Sequence, residues 1–503
     1  MSATAVAGPP PGPEPADLPD AGYAAVPTRI PDRVPDRILD RTPGSRDTTL
    51  GRRGPLPRWW RDVTAAAAWA LVLFVVALWV AAGGLQLLDG AGDGLTSVGR
   101  LAGLLASVLI LLQVLLMARI PVVEQAWGQD ELARVHRLVG FTSFSLMLGH
   151  IALVVVGYSV GTDAGVIGTL VDEVLHSPGM LLALAGAIAL VMVVVTSVRR
   201  ARRRLRYESW HLLHLYAYLG AGLALPHQLW TGQDFRSNAV ATVFWWGLYA
   251  AALVAVLVYR VVVPLWRSRR HALTVSHVVA ESPTVTSVVV TGRDLNRMPV
   301  RAGQFLQWRF LDGQGWTRAH PYSLSAAPDG RSLRITAAAV GDGSNRLRAL
   351  RPGTRVLVEG PYGRLHGGVR TRQRSVLIGA GIGITPLRSL LEELPAAPDG
   401  VVVVYRVGTL DEAVLADELL ALTAERGGRV VAVVGHRHPS RSSWLPASAG
   451  DLDDAEALLR IVPDIAERDV FVCGHPAWMD TVLAAAHRAG VPRDAVHHER
   501  FAY

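Results

Sequence analysis

The chain has 503 residues, half of them hydrophobic, and a net charge of +8 that arginine alone supplies, since no lysine occurs. Cys473 is the single cysteine, which excludes disulfides within the chain and a cysteine-held iron–sulfur cluster. The length has room for about three or four domains, and the densest basic run sits between two apolar spans, where anionic headgroups account for it without nucleic acid.

Residues 1–58 are rich in Pro, Ala, Asp and Arg, with a loose recurrence of Pro31-Asp32-Arg33 and Pro35-Asp36-Arg37. That composition predicts a disordered tail. It does not read as a signal peptide, because the first apolar run begins only near Val63. Six apolar spans follow, at about 63–88, 98–118, 136–157, 178–198, 210–230 and 239–263, each long enough to cross a bilayer. They predict a six-helix transmembrane bundle over 59–266. Arginines cluster before the first span (Arg52, Arg53, Arg58, Arg61), between the fourth and fifth (199–206) and after the sixth (Arg267, Arg269, Arg270). The alternate loops carry Asp89 and Asp93, then Asp163, Asp172 and Glu173, then Asp234. The positive-inside rule therefore predicts a multi-pass protein of the cell membrane with the N-terminus and everything after the sixth span in the cytoplasm.

Two spans carry histidines where lipid would be. His136 and His150 lie 14 positions apart in the third, and His214 and His227 lie 13 apart in the fifth. Each pair spans roughly 20 Å of helix, about two thirds of a hydrocarbon core. Ionisable groups at such depth are costly and usually functional; upper and lower imidazoles on two helices suit two stacked haems. On the predicted topology His136 pairs with His214 near the inner face, and His150 with His227 near the outer one. Fourteen residues bring His150 back to within roughly 40° of His136 around a straight helix, whereas thirteen leave His214 and His227 about 140° apart. The fifth span is thus expected to bend near Gly220, Gly222 and Pro226, and His211 competes with His214 one turn away. A relay or core role is the plain alternative for all of them.

Beyond residue 271 the pattern changes to short alternating strands and turns. Leu273–Val279, Val285–Thr291 and Phe305–Phe310 predict an antiparallel β-barrel over 271–370. From Arg374 strands alternate with helices, predicting an α/β parallel-sheet domain over 371–503 with strands at Ser375–Ile378, Val401–Tyr405, Val430–Val434 and Asp469–Cys473. Gly379-Ala380-Gly381-Ile382-Gly383-Ile384-Thr385-Pro386 stands between strand and helix, the context of a pyrophosphate-binding turn. His320-Pro321-Tyr322-Ser323-Leu324-Ser325 offers an aromatic beside small hydroxyls, suited to a flat ring, and Gly341–Leu347, with Gly343, Ser344 and Asn345, small residues at a helix opening.

Taken together, these motifs resemble the ferric reductase and NADPH oxidase superfamily, in particular bacterial proteins that fuse a ferric-reductase-like membrane domain to a ferredoxin-reductase-type module. The resemblance covers about 60–503. It implies that His320–Ser325 contacts FAD, that 341–347 holds its diphosphate, and that Gly360-Pro361-Tyr362-Gly363 closes the flavin domain. It implies NADPH or NADH on Gly379, Gly381, Gly383, Thr385 and Pro386, with Cys473 and Gly474 beside the nicotinamide. Glu499 and Phe501 resemble a C-terminal Glu-x-Phe whose ring shields the flavin; Tyr503 is the alternative ring. It implies two haem b groups on His136, His150, His214 and His227, and the single cysteine argues against an added iron–sulfur domain. His320 replaces the arginine of many relatives, so Arg318 is an alternative partner for the pyrophosphate. Arg406, just past a strand, stands where a 2′-phosphate would lie.

The expectation is therefore a flavohaem oxidoreductase passing electrons from NAD(P)H through FAD and two haems to a small-molecule or protein acceptor on the outer face. A ferric chelate comes first, dioxygen second, a quinone or partner protein third. Bis-histidine ligation leaves no open iron position and so favours electron transfer. A nucleotide-regulated transporter and a haem or flavin redox sensor are the non-enzyme alternatives. Nothing in the pattern addresses oligomeric state.

Overall fold

The computed structural model describes residues 23–24, 59–198, 202, 207–236, 238–313 and 319–500. The expected tail and the arginine loop at 199–206 fall almost wholly outside these residues. Six long helices open the described chain: α1 (Trp59–Ala81), α2 (Ala91–Met117), α3 (Gln129–Ser159), α4 (Met180–Ser197), α5 (Tyr207–Trp230) and α6 (Ala239–Val256). The first ends earlier than its apolar run, because the chain turns at Gly83 with a positive φ of 82°. The last does not end at 256; it continues through wide, π-type turns at Leu257–Val262 into a final helical stretch, Val263–His271.

Five of these helices are long and apolar enough to cross a membrane. The exception is α5, equally long at 24 residues, where His211, His214 and His227 dilute the leucines. Side chains such as Leu138, Phe141, Ile188 and Val243 stand exposed on the bundle, as lipid-facing residues do. This is a membrane protein. Helix α3 packs along α2, and α5 along α4, but α3 and α5 barely touch each other. The α4–α5 crossing is close because two glycines meet: a Cβ on Gly186 would stand 2.8 Å from the Gly220 carbonyl. Gly220 serves that approach, and α5 runs as one helix with Pro226 inside it.

The barrel consists of two three-stranded antiparallel sheets, β2-β3-β6 and β5-β4-β7. Their strands are β2 (Thr274–Ala280), β3 (Val285–Thr291), β4 (Phe305–Phe310), β5 (His320–Ser323), β6 (Ser332–Ala338) and β7 (Val356–Tyr362). Alternate residues such as Val288, Val290, Leu306, Trp308, Leu333 and Ile335 meet in one core between the sheets.

The last domain is a sheet ordered β1-β10-β9-β8-β11-β12. Strands β8 (Ser375–Ala380), β9 (Val401–Val407), β10 (Arg429–Val434), β11 (Asp469–Cys473) and β12 (Val496–His498) run parallel. Tyr23–Ala24, β1, adds an antiparallel edge, so two residues of the expected tail are paired. Helices α7 (Ile384–Glu393), α8 (Ala416–Glu425), α9 (Asp454–Ile461) and α10 (Pro476–Arg488) cover the faces. The strand order reverses between β8 and β11, and crevices at the carboxyl ends of such strands are where ligands bind in open α/β sheets.

Candidate functional site

Three clusters of predicted site residues lie in sequence from the parallel sheet to the membrane bundle. At the switch point, β8 and β11 pair with Gly379 opposite Cys473. The glycine turn after β8 thereby meets the Cys473-Gly474 turn after β11. A Cβ on Gly383 would lie 2.5 Å from the Cys473 carbonyl oxygen, so only glycine fits there. Gly381 holds a positive φ of 52°, and Thr385 Oγ1 donates to the Ile382 carbonyl at 2.9 Å, closing the turn onto α7. Pro386 lies buried in the first turn of α7, and Gly474 is pressed against Trp478. Cys473 itself is fully buried; burial, with Glu499 adding, pushes its thiol far above the ordinary range, so it stays protonated.

Glu499 is also buried, and its Oε2 accepts the Arg364 N–H at 3.0 Å. It ties the chain after β12 to the turn after β7. Phe501, Tyr503 and Arg318 lie outside the described residues.

A cavity of about 230 Å³ opens beside the glycine turn, lined by Gly381, Arg406, Glu412, His436 and Arg437 among others. Here the expectation for Arg406 needs correction. It touches the cavity, but its guanidinium is buried and donates to the carbonyls of Trp444, Val407 and Val433. The strand end takes the N–H groups of Nε and Nη1, leaving only Nη2 for a phosphate. His436 and Arg437, which the motif reading passed over, are the other basic residues on that wall.

On the barrel, β5 carries His320, Pro321, Tyr322 and Ser323. The structure brings this strand against the 341–347 segment: a Cβ on Gly343 would fall 2.3 Å from the His320 ring. Ser323 Oγ is buried without a hydrogen-bond partner, an orphaned donor suited to an acceptor on a bound ring. Two expected contacts are already engaged. Ser325 Oγ accepts from Thr336 at 2.7 Å inside the barrel, and Ser344 Oγ accepts the N–H groups of Val340 and Gly341. Ser325 supports the fold, and Ser344 closes the opening turn of a short helix, Asp342–Arg346, that carries Asn345. Four charges, Arg388 and Glu392 buried and Arg334 and Glu418 partly so, join this domain to the next: Arg334 pairs with Glu418 at 2.7 Å, and Arg388 with Glu392 at 2.7 Å and Glu418 at 2.6 Å. Arg388 also donates to the Ser325 carbonyl.

In the bundle, His136 on α3 and His214 on α5 face each other with ring centroids 5.9 Å apart. His211 lies instead toward Arg260 and Arg309. The outer two histidines approach each other closely enough to interact electrostatically. His150 Nδ1 donates to the Gly99 carbonyl at 2.9 Å and His227 Nδ1 to the Ala224 carbonyl at 2.6 Å; His214 Nδ1 lies 3.2 Å from Ser197 Oγ. Occupied Nδ1 atoms leave each Nε2 as the free nitrogen, the arrangement of metal-ligating histidines. His136 Nδ1 is buried without a hydrogen-bond partner. Gly103 makes room for the His150 ring, which a Cβ there would meet at 2.6 Å. One helical turn from Gly103, Arg100 forms a bidentate pair with Asp234 at 2.6 and 2.7 Å, tying α2 to the loop between α5 and α6, a charge pair no motif announced.

Comparison with known proteins separates the same two halves. Residues 102–225 match the family "Ferric reductase like transmembrane component", and residues 377–483 match "Oxidoreductase NAD-binding domain". The ferredoxin–NAD(+) reductase component of the alkene monooxygenase system of Xanthobacter autotrophicus is 30% identical over 46% of this chain and 70% of its own length. The chain belongs to the ferredoxin-reductase-type flavoproteins. It joins a ferric-reductase-like transmembrane domain to a ferredoxin-reductase-type FAD/NAD module. The reductase component of 3-ketosteroid-9-alpha-monooxygenase from Rhodococcus rhodochrous is 32% identical over 46% of this ferric-reductase-like chain and 66% of its own. A flavohemoprotein of Vibrio cholerae is 28% identical over 47% and 60%. The first curated relatives are thus matched over only 57 to 66% of their lengths. Among solved structures, the flavohem-like FAD/NAD-binding domain of the Vibrio cholerae nitric oxide dioxygenase aligns with 25% identity, over 46% of this chain and 99% of its own, with a TM-score of 0.36.

Proposed function

We propose that this protein carries electrons from NAD(P)H, through FAD and two haem b groups, to an acceptor on the far side of the membrane, a ferric chelate first. The observation that carries the reading is the facing of His136 and His214 across two helices that otherwise scarcely meet. Bound FAD and haem would supply the conversion of a two-electron hydride donor into single electrons and their passage between fixed sites.

The chain's own residues have distinct tasks on this reading. The turn at Gly379–Gly383 and the start of α7 receive the dinucleotide pyrophosphate on backbone N–H groups. Cys473, neutral and immobile, floors the nicotinamide side without offering a thiolate. The wall of His436 and Arg437 favours the 2′-phosphorylated dinucleotide, NADPH over NADH. Tyr322 and Ser323 hold the flavin ring by stacking and by a hydroxyl hydrogen bond. Glu499 fixes the turn at Gly363–Arg364 beside that ring. The four histidines would hold iron through Nε2, His136 with His214 and His150 with His227, the last three oriented through the contacts their Nδ1 atoms make.

The test uses the full chain in sealed vesicles, with NADPH on the flavin-domain side and an impermeant ferric chelate on the other. Haem reduction and chelate reduction are expected to follow NADPH addition. A purified, folded protein with no b-type signal in its reduced-minus-oxidised spectrum would overturn the proposal.

A further inference from the structure

From Ala239 to His271 the last membrane helix is continuous for 33 residues, roughly 50 Å of rise. That exceeds the ~30 Å hydrocarbon core and the ~40–45 Å bilayer with its headgroups. Its final turns therefore emerge in the headgroup layer on the flavin-domain side. Those turns have two faces of opposite character. Arg267, Ser268 and His271 turn inward: Arg267 donates to the Gly360 carbonyl, Ser268 Oγ accepts the Val358 N–H at 3.2 Å, and His271 Nδ1 donates to the Arg293 carbonyl at 3.0 Å. Val262, Leu265, Trp266, Arg269 and Arg270 turn outward at helical spacing and line a shallow cavity of about 480 Å³.

Among the described residues nothing covers the outward face. Val262 and Trp266 are each 56% exposed, an apolar surface that only lipid would shield. Neither Arg269 nor Arg270 forms an ion pair among the described residues; Arg270 only rests over the Trp266 ring at 5.3 Å. Unpaired guanidinium groups above an apolar floor, with an interfacial tryptophan between, match a phosphate with acyl chains beneath it. A zwitterionic headgroup would bring its own cation against these two, so charge complementarity selects an anionic lipid.

We infer that this face is a binding site for one anionic phospholipid of the adjoining leaflet, its phosphate held by Arg269 and Arg270 and its chains laid on Val262, Leu265 and Trp266. Because the same turns grip the flavin domain on their other side, the bound lipid buttresses the helix on which that domain is seated. The site rests on the helix and its charges and stands whether or not the bundle carries haem.

The full chain, reconstituted in nanodiscs of phosphatidylcholine with a minor fraction of phosphatidylglycerol, is moved into mild detergent and weighed intact by native mass spectrometry. Wild type is expected to retain one phosphatidylglycerol, and the R269Q/R270Q variant to retain it roughly tenfold less or worse. Equal retention by the variant, or wild type holding both lipids alike, would overturn the site. A photoactivatable phosphatidylglycerol on unmutated protein decides the matter if the variant fails to fold. Adducts on 262–270 support the site, and adducts only elsewhere overturn it.

Discussion

His214 and His211 sit one turn apart on α5, and only His214 turns its ring to His136. Replacing His214 with alanine is expected to cost the inner haem signal and acceptor reduction together, while H211A keeps both; pyridine haemochrome counting per chain distinguishes them. Removing the Ser197 hydroxyl should weaken haem retention roughly tenfold, the low end of what an orienting partner is worth. At the other end of the path, R437A should raise the KM for NADPH about tenfold and leave NADH unchanged, the scale of one lost hydrogen bond to a charged group. The histidines were legible in the sequence because ionisable groups in apolar runs stand out. Arg406 misled because its position after a strand says where its Cα lies, and nothing about the three carbonyls that occupy its guanidinium.

At the scale of elements, the close fit of the turns after β8 and β11 makes Gly383 the least replaceable residue of the sheet. G383A drives a methyl into the Cys473 backbone; a loss of about 1–3 kcal/mol is expected, the usual cost of overpacking, read as a lowered unfolding midpoint with NAD(P)H oxidation abolished. Seven of the strands were readable from alternation and glycine punctuation, and their expected ranges agree with the observed ones to within a few residues, whereas β6, β7 and β12 were not expected. What joins the domains was not. Arg334, Arg388, Glu392 and Glu418 look like surface charges in the sequence, yet they meet in a buried cluster. Breaking it with R388M should destabilise the protein by about 3–5 kcal/mol, the cost of stranding a buried charge. The close crossing of α4 and α5 at Gly186 and Gly220 is another case, since helix wheels treat each helix in isolation.

On the scale of the whole molecule, a polar junction seats the flavin domain on the bundle. Arg119 stacks over the Tyr362 ring at 4.1 Å and pairs with Glu124 at 3.4 Å, while Arg260 pairs with Glu359 at 3.1 Å. Burial raises the Glu124 carboxyl to about 7 despite Arg119 and Arg260, with Glu359 adding to the rise. A carboxyl whose folded value lies above its unfolded one lends stability that is complete below about 4.5 and is lost as pH rises through about 7. Protection factors in the turn at Glu359–Tyr362, with the base-catalysed intrinsic exchange divided out, should accordingly fall from pH 6 to pH 8, and E124Q should remove that dependence. Topology can be checked with an impermeant maleimide, because buried Cys473 gives no background. Asp163→Cys is expected to label from outside intact cells, and Arg293→Cys only after permeabilisation.

The unbroken helix from Ala239 to His271 also acts as a spacer of fixed length and phase between the two halves. Each residue added to or removed from a rigid α-helix rotates everything beyond it by about 100° and shifts it by ~1.5 Å. The wide turns at Leu257–Val262 are where such a helix stores an extra residue without breaking. Deleting one residue there returns the wide turns to ordinary α-turns, whereas deleting one from the regular part of the helix would swing the flavin domain away from Arg119 and Glu124, so the register of this single rod decides whether the molecule's two halves are wired together at all.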